Sequence, residues 1–152
     1  MIFKNSSGKI ISLEEIAGLI ESDYEYEVFV GTDSQVHRKR KCVVYATCIV
    51  LYKKGKGGRV FVARDQQPYA NSLKERLMNE VWRSLEISFK LTHILPKNVE
   101  IVIHVDVNKS LKYKSGNYHQ ELVSLVTGQG FSCRIKPYAW AAQCIADHFT
   151  KK

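Results

Sequence analysis

The sequence has few features of a disulfide-bonded, zinc-binding or membrane-spanning protein. Its 152 residues include four cysteines, none of them in a Cys-x-x-Cys pair. All four lie in apolar segments, which predicts reduced core residues rather than zinc ligands or disulfide partners. No segment approaches the roughly 18 consecutive apolar residues of a membrane span. The first residues contain no apolar stretch of signal-peptide length. We therefore expect a cytoplasmic protein with no membrane partner.

Two common catalytic signatures are also missing. The glycine-rich segment 53–58 is not followed by Lys-Ser or Lys-Thr, and it lies between two predicted strands rather than before a helix. This pattern excludes a mononucleotide-binding P-loop at that position. No serine or cysteine occupies a recognisable nucleophile elbow, which argues against Ser-His-Asp and Cys-His catalysis.

Positive charge is what the sequence has in excess. Lysine and arginine number 23 against 15 acidic residues, for a net charge of +8. This balance favours a polyanionic partner, most simply nucleic acid. Basic residues cluster in three predicted loops, although each could equally be a solvated loop that improves solubility. The loop at 109–114 is the best candidate, because Lys112-Tyr113-Lys114 interleaves an aromatic ring with charge, as binders of single strands do. The candidate nucleic-acid-binding residues are Arg38, Lys39, Lys109, Lys112 and Lys114.

Hydrophobic periodicity predicts an α/β protein whose elements follow the order βββαβαβα. The length fits a single domain over residues 1–152. One extra helix at 12–21 precedes this series, begins at a capping Ser12 and is expected to be peripheral. The first three strands, separated by short turns, predict an antiparallel meander. The predicted ranges are 27–33, 42–52 and 59–66 for these strands, followed by a helix at 72–91, a strand from 99 towards 108, a helix at 118–127, a strand at 131–136 and a helix at 138–149.

The first and fourth predicted strands each carry an aspartate near their end. Asp33 follows the apolar run that begins at Val28, and Asp106 follows the apolar run that begins at Val99. An unpaired carboxylate in an apolar interior is costly, so its usual neighbours are hydrogen-bond donors, a basic side chain or a metal ion. Two such strands suggest one shared site. Each aspartate could instead cap a strand end or pair with lysine or arginine.

This order of elements, with acids on strands one and four, resembles the ribonuclease H-like fold. The segment Gly31–His37 (GTDSQVH), residues 75–80, His104-Val105-Asp106 and residues 135–147 are similar to the YkuK-type family of predicted ribonuclease H-like proteins. The resemblance implies a mixed five-stranded sheet flanked by helices. It also implies carboxylates that hold two divalent cations, one activating water and one steadying the leaving oxygen. Oxygen ligands of this kind favour Mg²⁺ or Mn²⁺ over zinc.

The resemblance implies Asp33 and Asp106 as the two ligands on strands, but periodicity leaves the helix ligand open. Glu80 lies on one apolar stripe of the long helix, and a second apolar stripe flanked by Glu75 lies on the opposite side. The family resemblance favours Glu80, with Glu75 as the alternative.

The fourth ligand is implied to be Asp147 in the final helix, where the alternative is a solvated helix residue. Some relatives carry an aspartate near the start of this helix, where this chain has Tyr138. His104 shares a face with Asp106, so it could orient a ligand or a water, or could be a hydrogen-bonded core histidine. His119 lies near a helix start, in a region where ribonuclease H enzymes often have a mobile histidine.

These observations lead to three hypotheses. The first is a metal-dependent nuclease, or a related phosphoryl-transfer enzyme, that acts on RNA, DNA or a hybrid with Mg²⁺ or Mn²⁺. The second is a nucleic-acid-binding module that keeps the fold with reduced or absent catalysis. The third is a structural protein whose acidic cluster pairs with lysine and arginine.

Overall fold

The computed structural model describes residues 1–23, 25–69, 72–110 and 114–151, with backbone alone at 114, 115 and 144. Two short strands and a helix come first, namely β1 (Phe3–Lys4), β2 (Ile10–Ile11) and α1 (Leu13–Glu21). Three long strands follow, β3 (Glu27–His37), β4 (Cys42–Lys53) and β5 (Gly57–Pro68). Next are α2 (Leu73–Ile94), β6 (Ile101–His104), a 3-10 helix (Lys114–Asn117) and α3 (His119–Gly128). The last elements are β7 (Ser132–Arg134), a π-helix (Ala141–Ala146) and α4 (Asp147–Thr150).

The strands form one mixed seven-stranded sheet in the order β2-β1-β5-β4-β3-β6-β7. Strands β3, β4 and β5 pair antiparallel, which confirms the predicted meander. Strand β6 pairs parallel with β3, and β7 pairs parallel with β6. The predicted count of five strands is wrong, because β1 and β2 extend the sheet at the β5 edge. Each has two residues, which is too short for an alternating pattern to be recognised.

Helix α1 is part of the main core rather than a peripheral addition. Its N-cap is the predicted one, since Ser12 Oγ accepts a hydrogen bond from the Glu15 backbone N–H at 3.1 Å. Ile16, Ala17 and Ile20 are buried among the residues of β3, β4 and α2. The expectation of a peripheral helix is therefore wrong, because the apolar stripe of α1 is buried in the main core.

A second, smaller core lies on the other face of the sheet, under the C-terminal segment. Phe29, Cys48 and Val102 pack there against Ala141 and Ala146 of the π-helix. Gly31 allows this close packing: a Cβ at Gly31 would lie 2.7 Å from the backbone N of Ala142. Because backbone atoms cannot move aside cheaply, the missing side chain is what lets the π-helix cross β3.

Within the described residues, no helix is both long enough and apolar enough to cross a membrane.

Candidate functional site

The structure places Asp33 where β3 loses one of its two neighbours. Strand β6 pairs with β3 only as far as Gly31 and His104, whereas β4 accompanies β3 through His37. Asp33 thus lies two residues beyond the last parallel pair, in the part of β3 that β6 does not cover. Its side chain is nevertheless only 6% exposed. A carboxyl group in this position is buried beside the end of the parallel sheet.

Three further acids, each from a different element, interact with the Asp33 carboxyl group. Glu80 lies on α2, Asp106 two residues past β6, and Asp147 at the start of α4. Asp33 experiences the charges of Glu80 and Asp106 and interacts by hydrogen bonding with Asp106 and Asp147. The structure therefore brings together all four acids that the sequence singled out. Their role as metal ligands or catalytic groups stays a prediction.

The choice between Glu80 and Glu75 follows from how α2 docks on β3. Thr32 Oγ1 lies 2.8 Å from Ser84 Oγ, which ties the middle of α2 to the strand. One turn earlier, Ser34 Oγ donates a hydrogen bond to Glu80 Oε1 at 3.1 Å. Glu80 is 5% exposed, whereas Glu75 is exposed in the first turn. Glu80 is thus the helix carboxylate that faces the cluster.

Crowding and burial change the acidity of the cluster. Burial, with the negative charge of Glu80 next in importance, raises the pKa of Asp33 to about 10. Burial, followed by the charge of Asp106, raises the pKa of Glu80 to about 8, although the Ser34 hydrogen bond opposes this. Burial alone would raise the pKa of Asp147, but hydrogen bonds from Asp33 and Lys151 lower it. At neutral pH the metal-free cluster therefore holds protons on Asp33 and Glu80.

Two lysines that the sequence reasoning did not single out complete the cluster. Lys136 Nζ lies 2.9 Å from Asp106 Oδ1, and Lys151 Nζ lies 2.9 Å from Asp147 Oδ2. Burial would lower the pKa of Lys136, but the hydrogen bond and charge of Asp106 outweigh this and raise it. The Lys151 pair has helical i,i+4 spacing, which the sequence does display. No local spacing pattern connects Lys136 with Asp106.

The chemistry of the donor set fits a hard divalent cation. All four acids offer carboxylate oxygens, which suit Mg²⁺ or Mn²⁺ better than softer metals. Among the residues the structure describes, however, no three histidine, cysteine, aspartate or glutamate side chains are arranged to hold a metal ion. A divalent cation would have to displace the protons on Asp33 and Glu80 and the lysine beside Asp106 before those oxygens could bind it.

Comparison with known proteins identifies the family to which the chain belongs. A family model described as ribonuclease H-like matches residues 12–151. The chain belongs to the ribonuclease H-like family. It is also 26% identical over 157 residues to the uncharacterized protein YkuK of Bacillus subtilis (strain 168). This similarity covers 91% of the chain and 88% of YkuK. The resemblance to YkuK-type ribonuclease H-like proteins is thus confirmed.

In this ribonuclease H-like chain, His104 has the surroundings of a core histidine. The backbone N–H of Ala141 donates to His104 Nδ1 at 3.0 Å, and the ring packs against Phe29 and Trp140. Burial and the charge of Arg134 lower the pKa of His104 to about 4, so the ring is neutral. His104 fixes the start of the π-helix and so supports Asp147 indirectly.

The remaining sequence candidates are exposed residues near the ends of these elements, partly buried His119, or residues outside the described structure. Lys109 is exposed three residues after Asp106. Arg38 and Lys39 are exposed in the turn between β3 and β4. Lys112 is outside the described residues, as is the side chain of Lys114. His119 is partly buried, with Nδ1 3.4 Å from the Gly116 carbonyl oxygen.

Proposed function

We propose that this ribonuclease H-like protein is a divalent-metal-dependent nuclease, or a related phosphoryl-transfer enzyme, that acts on RNA, DNA or a hybrid. The observation that carries the proposal is the burial of Asp33 and Glu80 beside Asp106 and Asp147. Four acids gathered from four elements repel one another unless protons or cations neutralise them. Carboxyl groups with strongly shifted pKa values concentrate at functional sites. In this ribonuclease H-like chain, such groups lie where the parallel strands of the sheet end.

The division of roles follows from the positions of the side chains. Asp33, Glu80, Asp106 and Asp147 would hold Mg²⁺ or Mn²⁺, which when bound supplies activation of water and stabilisation of the leaving oxygen. Ser34 orients the Glu80 carboxyl group through its hydrogen bond. The Thr32–Ser84 contact holds α2 at a fixed distance from β3. Burial of Asp33 and Glu80 limits their access to bulk water and keeps both carboxyl groups in place.

Nucleic acid is the substrate class because the chain is strongly basic as a whole. It carries a net charge of +8, which favours a polyanionic partner. Exposed Lys109 follows Asp106 closely, and Arg38 and Lys39 stand at the far end of the strand that carries Asp33. These lysine and arginine side chains would contact the phosphate backbone of the substrate.

A second candidate is a nucleic-acid-binding module with the same fold and little or no catalysis. The ion pairs of Asp106 with Lys136 and of Asp147 with Lys151 favour it, because they already neutralise two of the four acids. Such a module would bind nucleic acid in a salt-dependent manner without requiring metal.

Metal titration and a substrate panel distinguish these candidates. Protein stripped with EDTA is titrated with Mg²⁺ and Mn²⁺ while its melting temperature is recorded, since binding to the native state raises stability. Labelled single-stranded RNA, single-stranded DNA, duplex DNA and a hybrid are then tested with each metal. The nuclease requires a rise in melting temperature and cleavage of at least one substrate, both lost in Asp33→Asn. Salt-dependent binding with no metal response supports the module, and absence of binding as well contradicts both.

A further inference from the structure

Lys136 approaches the carboxylates from a segment that contributes none of the four acids. It follows β7, and its ammonium group contacts Asp106 Oδ1 at 2.9 Å. The Lys136 side chain is 35% exposed and that of Asp106 is 17% exposed, so the pair is partly shielded from solvent. The positive charge also interacts with Asp33 and Glu80. Lys136 therefore provides a cation to the acidic cluster as a whole.

The backbone keeps this lysine in register with its partner. The Lys136 N–H donates to the Val107 carbonyl oxygen at 3.1 Å, and the Val105 N–H donates to the Arg134 carbonyl oxygen at 2.9 Å. These two bonds join the Lys136 segment to the residues on either side of Asp106. The pair is thus built by two hydrogen-bonded backbones, unlike the exposed Lys90–Glu86 pair within α2.

We propose that Lys136 is a built-in counter-ion that competes with the divalent cation for Asp106 and binds a phosphate of the nucleic acid once the cation has displaced it. This inference rests on the proposed metal site. Asp106 Oδ1 lies against the lysine, so a metal ion at that oxygen must displace the ammonium group. The displaced group stays tethered beside the cluster and retains its charge, and a substrate phosphate is then its natural partner.

If Lys136 competes with the metal ion for Asp106, removing the lysine should improve metal binding. We expect Lys136→Met to lower the Mn²⁺ concentration at the midpoint of the thermal-shift titration by about threefold to fivefold, the range set by a partly exposed ion pair. Lys90→Met is the matched control, because it removes a lysine from an ion pair on α2 outside the cluster. Its midpoint should equal that of the wild type. Lys136→Arg keeps the charge and should not lower the midpoint.

The phosphate role is tested separately with a fluorescent single-stranded oligonucleotide whose phosphorothioate linkages resist cleavage. In Mn²⁺, Lys136→Met should reduce the slope of log K against log salt by about 0.7, the value for one phosphate contact to a single strand. In EDTA the slope should equal that of the wild type, because the lysine is then engaged by Asp106. An equal slope in Mn²⁺ would overturn the phosphate role.

An unchanged or higher Mn²⁺ midpoint in Lys136→Met would overturn the competition while leaving the metal site intact. Failure of the wild type to respond to Mn²⁺ at all would overturn the metal site and this inference together. If Lys136→Met does not fold, Lys136→Gln provides the same measurement with a polar side chain.

Discussion

Asp33 is a carboxyl group whose environment favours the protonated form. Its neighbours are three other acids, and its burial removes the water that would stabilise a charge. A structural aspartate in such a place would have a salt bridge of its own, as Asp65 has with Arg83 Nη2 at 2.8 Å. Asp65 is thus held in an ordinary ion pair, whereas Asp33 is surrounded by other acids.

Asp33→Asn should leave the metal-free protein as stable as the wild type or raise its melting temperature by up to about 5 °C, because Asn keeps the shape and removes the free-energy cost of protonating an aspartate on folding. It should also abolish the Mn²⁺ shift and any nuclease activity. Melting curves of both proteins in EDTA and in Mn²⁺ measure this.

Asp65→Asn is the control, since it strands the Arg83 guanidinium and should lower stability by about 1–3 kcal/mol with or without metal. An Asp33→Asn protein that behaves like Asp65→Asn, melting lower in EDTA and responding fully to Mn²⁺, would contradict a metal role for Asp33.

Sequence patterns indicated the acidic residues of the site better than its basic residues. Asp33 and Asp106 stand out because each follows an apolar run, whereas periodicity left Glu80 and Glu75 open and the family resemblance favoured Glu80. No local pattern in the sequence identifies Lys136. Its proximity to Asp106 arises from the parallel pairing of β6 with β7, two strands that are distant in the sequence. The polar partner of a buried acid is set by tertiary structure, which local patterns do not contain.

Among the elements, the π-helix Ala141–Ala146 depends most directly on a single position in another element. Its backbone crosses β3 at Gly31, and Asp147 follows immediately. A methyl group at position 31 would push the π-helix away from β3 and take Asp147 with it.

Gly31→Ala should destabilise the protein by about 1–3 kcal/mol, because the added Cβ meets backbone atoms of Ala141 and Ala142 at 2.9 and 2.7 Å. It should also weaken the Mn²⁺ response, since Asp147 moves. Chemical denaturation and the metal titration measure the two effects.

Gly18→Ala in α1 is the matched control, because a Cβ there meets no atom within 4 Å. It should stabilise the protein by about 0.5–1 kcal/mol through helix propensity. Equal stability of Gly31→Ala and wild type would show that the π-helix can shift without penalty.

The basic loop after Asp106 should contribute to nucleic-acid affinity through its lysines. Changing Lys109, Lys112 and Lys114 together to Ala should reduce the slope of log K against log salt by about 2, one increment for each phosphate contact to a single strand. The control is Lys90→Ala with Lys97→Ala, which removes exposed charge elsewhere. A slope equal to that of the control would show that this loop does not contact the backbone.

Element boundaries departed from the prediction where pairing, rather than composition, decides them. Strand β3 runs to His37 instead of ending at Asp33, because β4 continues to pair with its polar residues. Strand β6 ends at His104, well before the predicted 108, and only four of its residues pair with β3. The predicted final helix at 138–149 is instead a π-helix from Ala141 followed by a short α4. Asp106 is therefore in a loop segment, where its side chain can reach the cluster.

At the scale of the whole molecule, the cluster makes stability depend on pH and metal together. The folded pKa of Asp33, about 10, lies above its unfolded value of 3.8, and that of Glu80, about 8, above 4.5. Between the unfolded and the folded pKa values, the folded state therefore binds more protons than the unfolded state. Stability from this source is full below about pH 4 and is lost as the pH rises through the folded values.

Metal-free wild type should accordingly melt at least about 5 °C lower at pH 8 than at pH 6, because each extra proton bound by the folded state costs about 1.4 kcal/mol of stability per pH unit. Asp33→Asn should show a smaller decline. Because the metal displaces protons, the Mn²⁺ shift should grow over the same range. A wild-type melting temperature in EDTA that falls no more between pH 6 and pH 8 than that of Asp33→Asn would contradict the proton-holding cluster.

The unbroken ladder between β3 and β4 runs from Glu27 opposite Tyr52 to His37 opposite Cys42. Side chains alternate along it, so one residue inserted between Gly31 and Asp33 would turn Asp33 to the other face of the sheet. An insertion there disables the cluster even if every acid is retained. The length of the chain between these two positions is therefore fixed by the ladder, whereas the turn at 38–41 lies outside it and could take an inserted residue without turning Asp33.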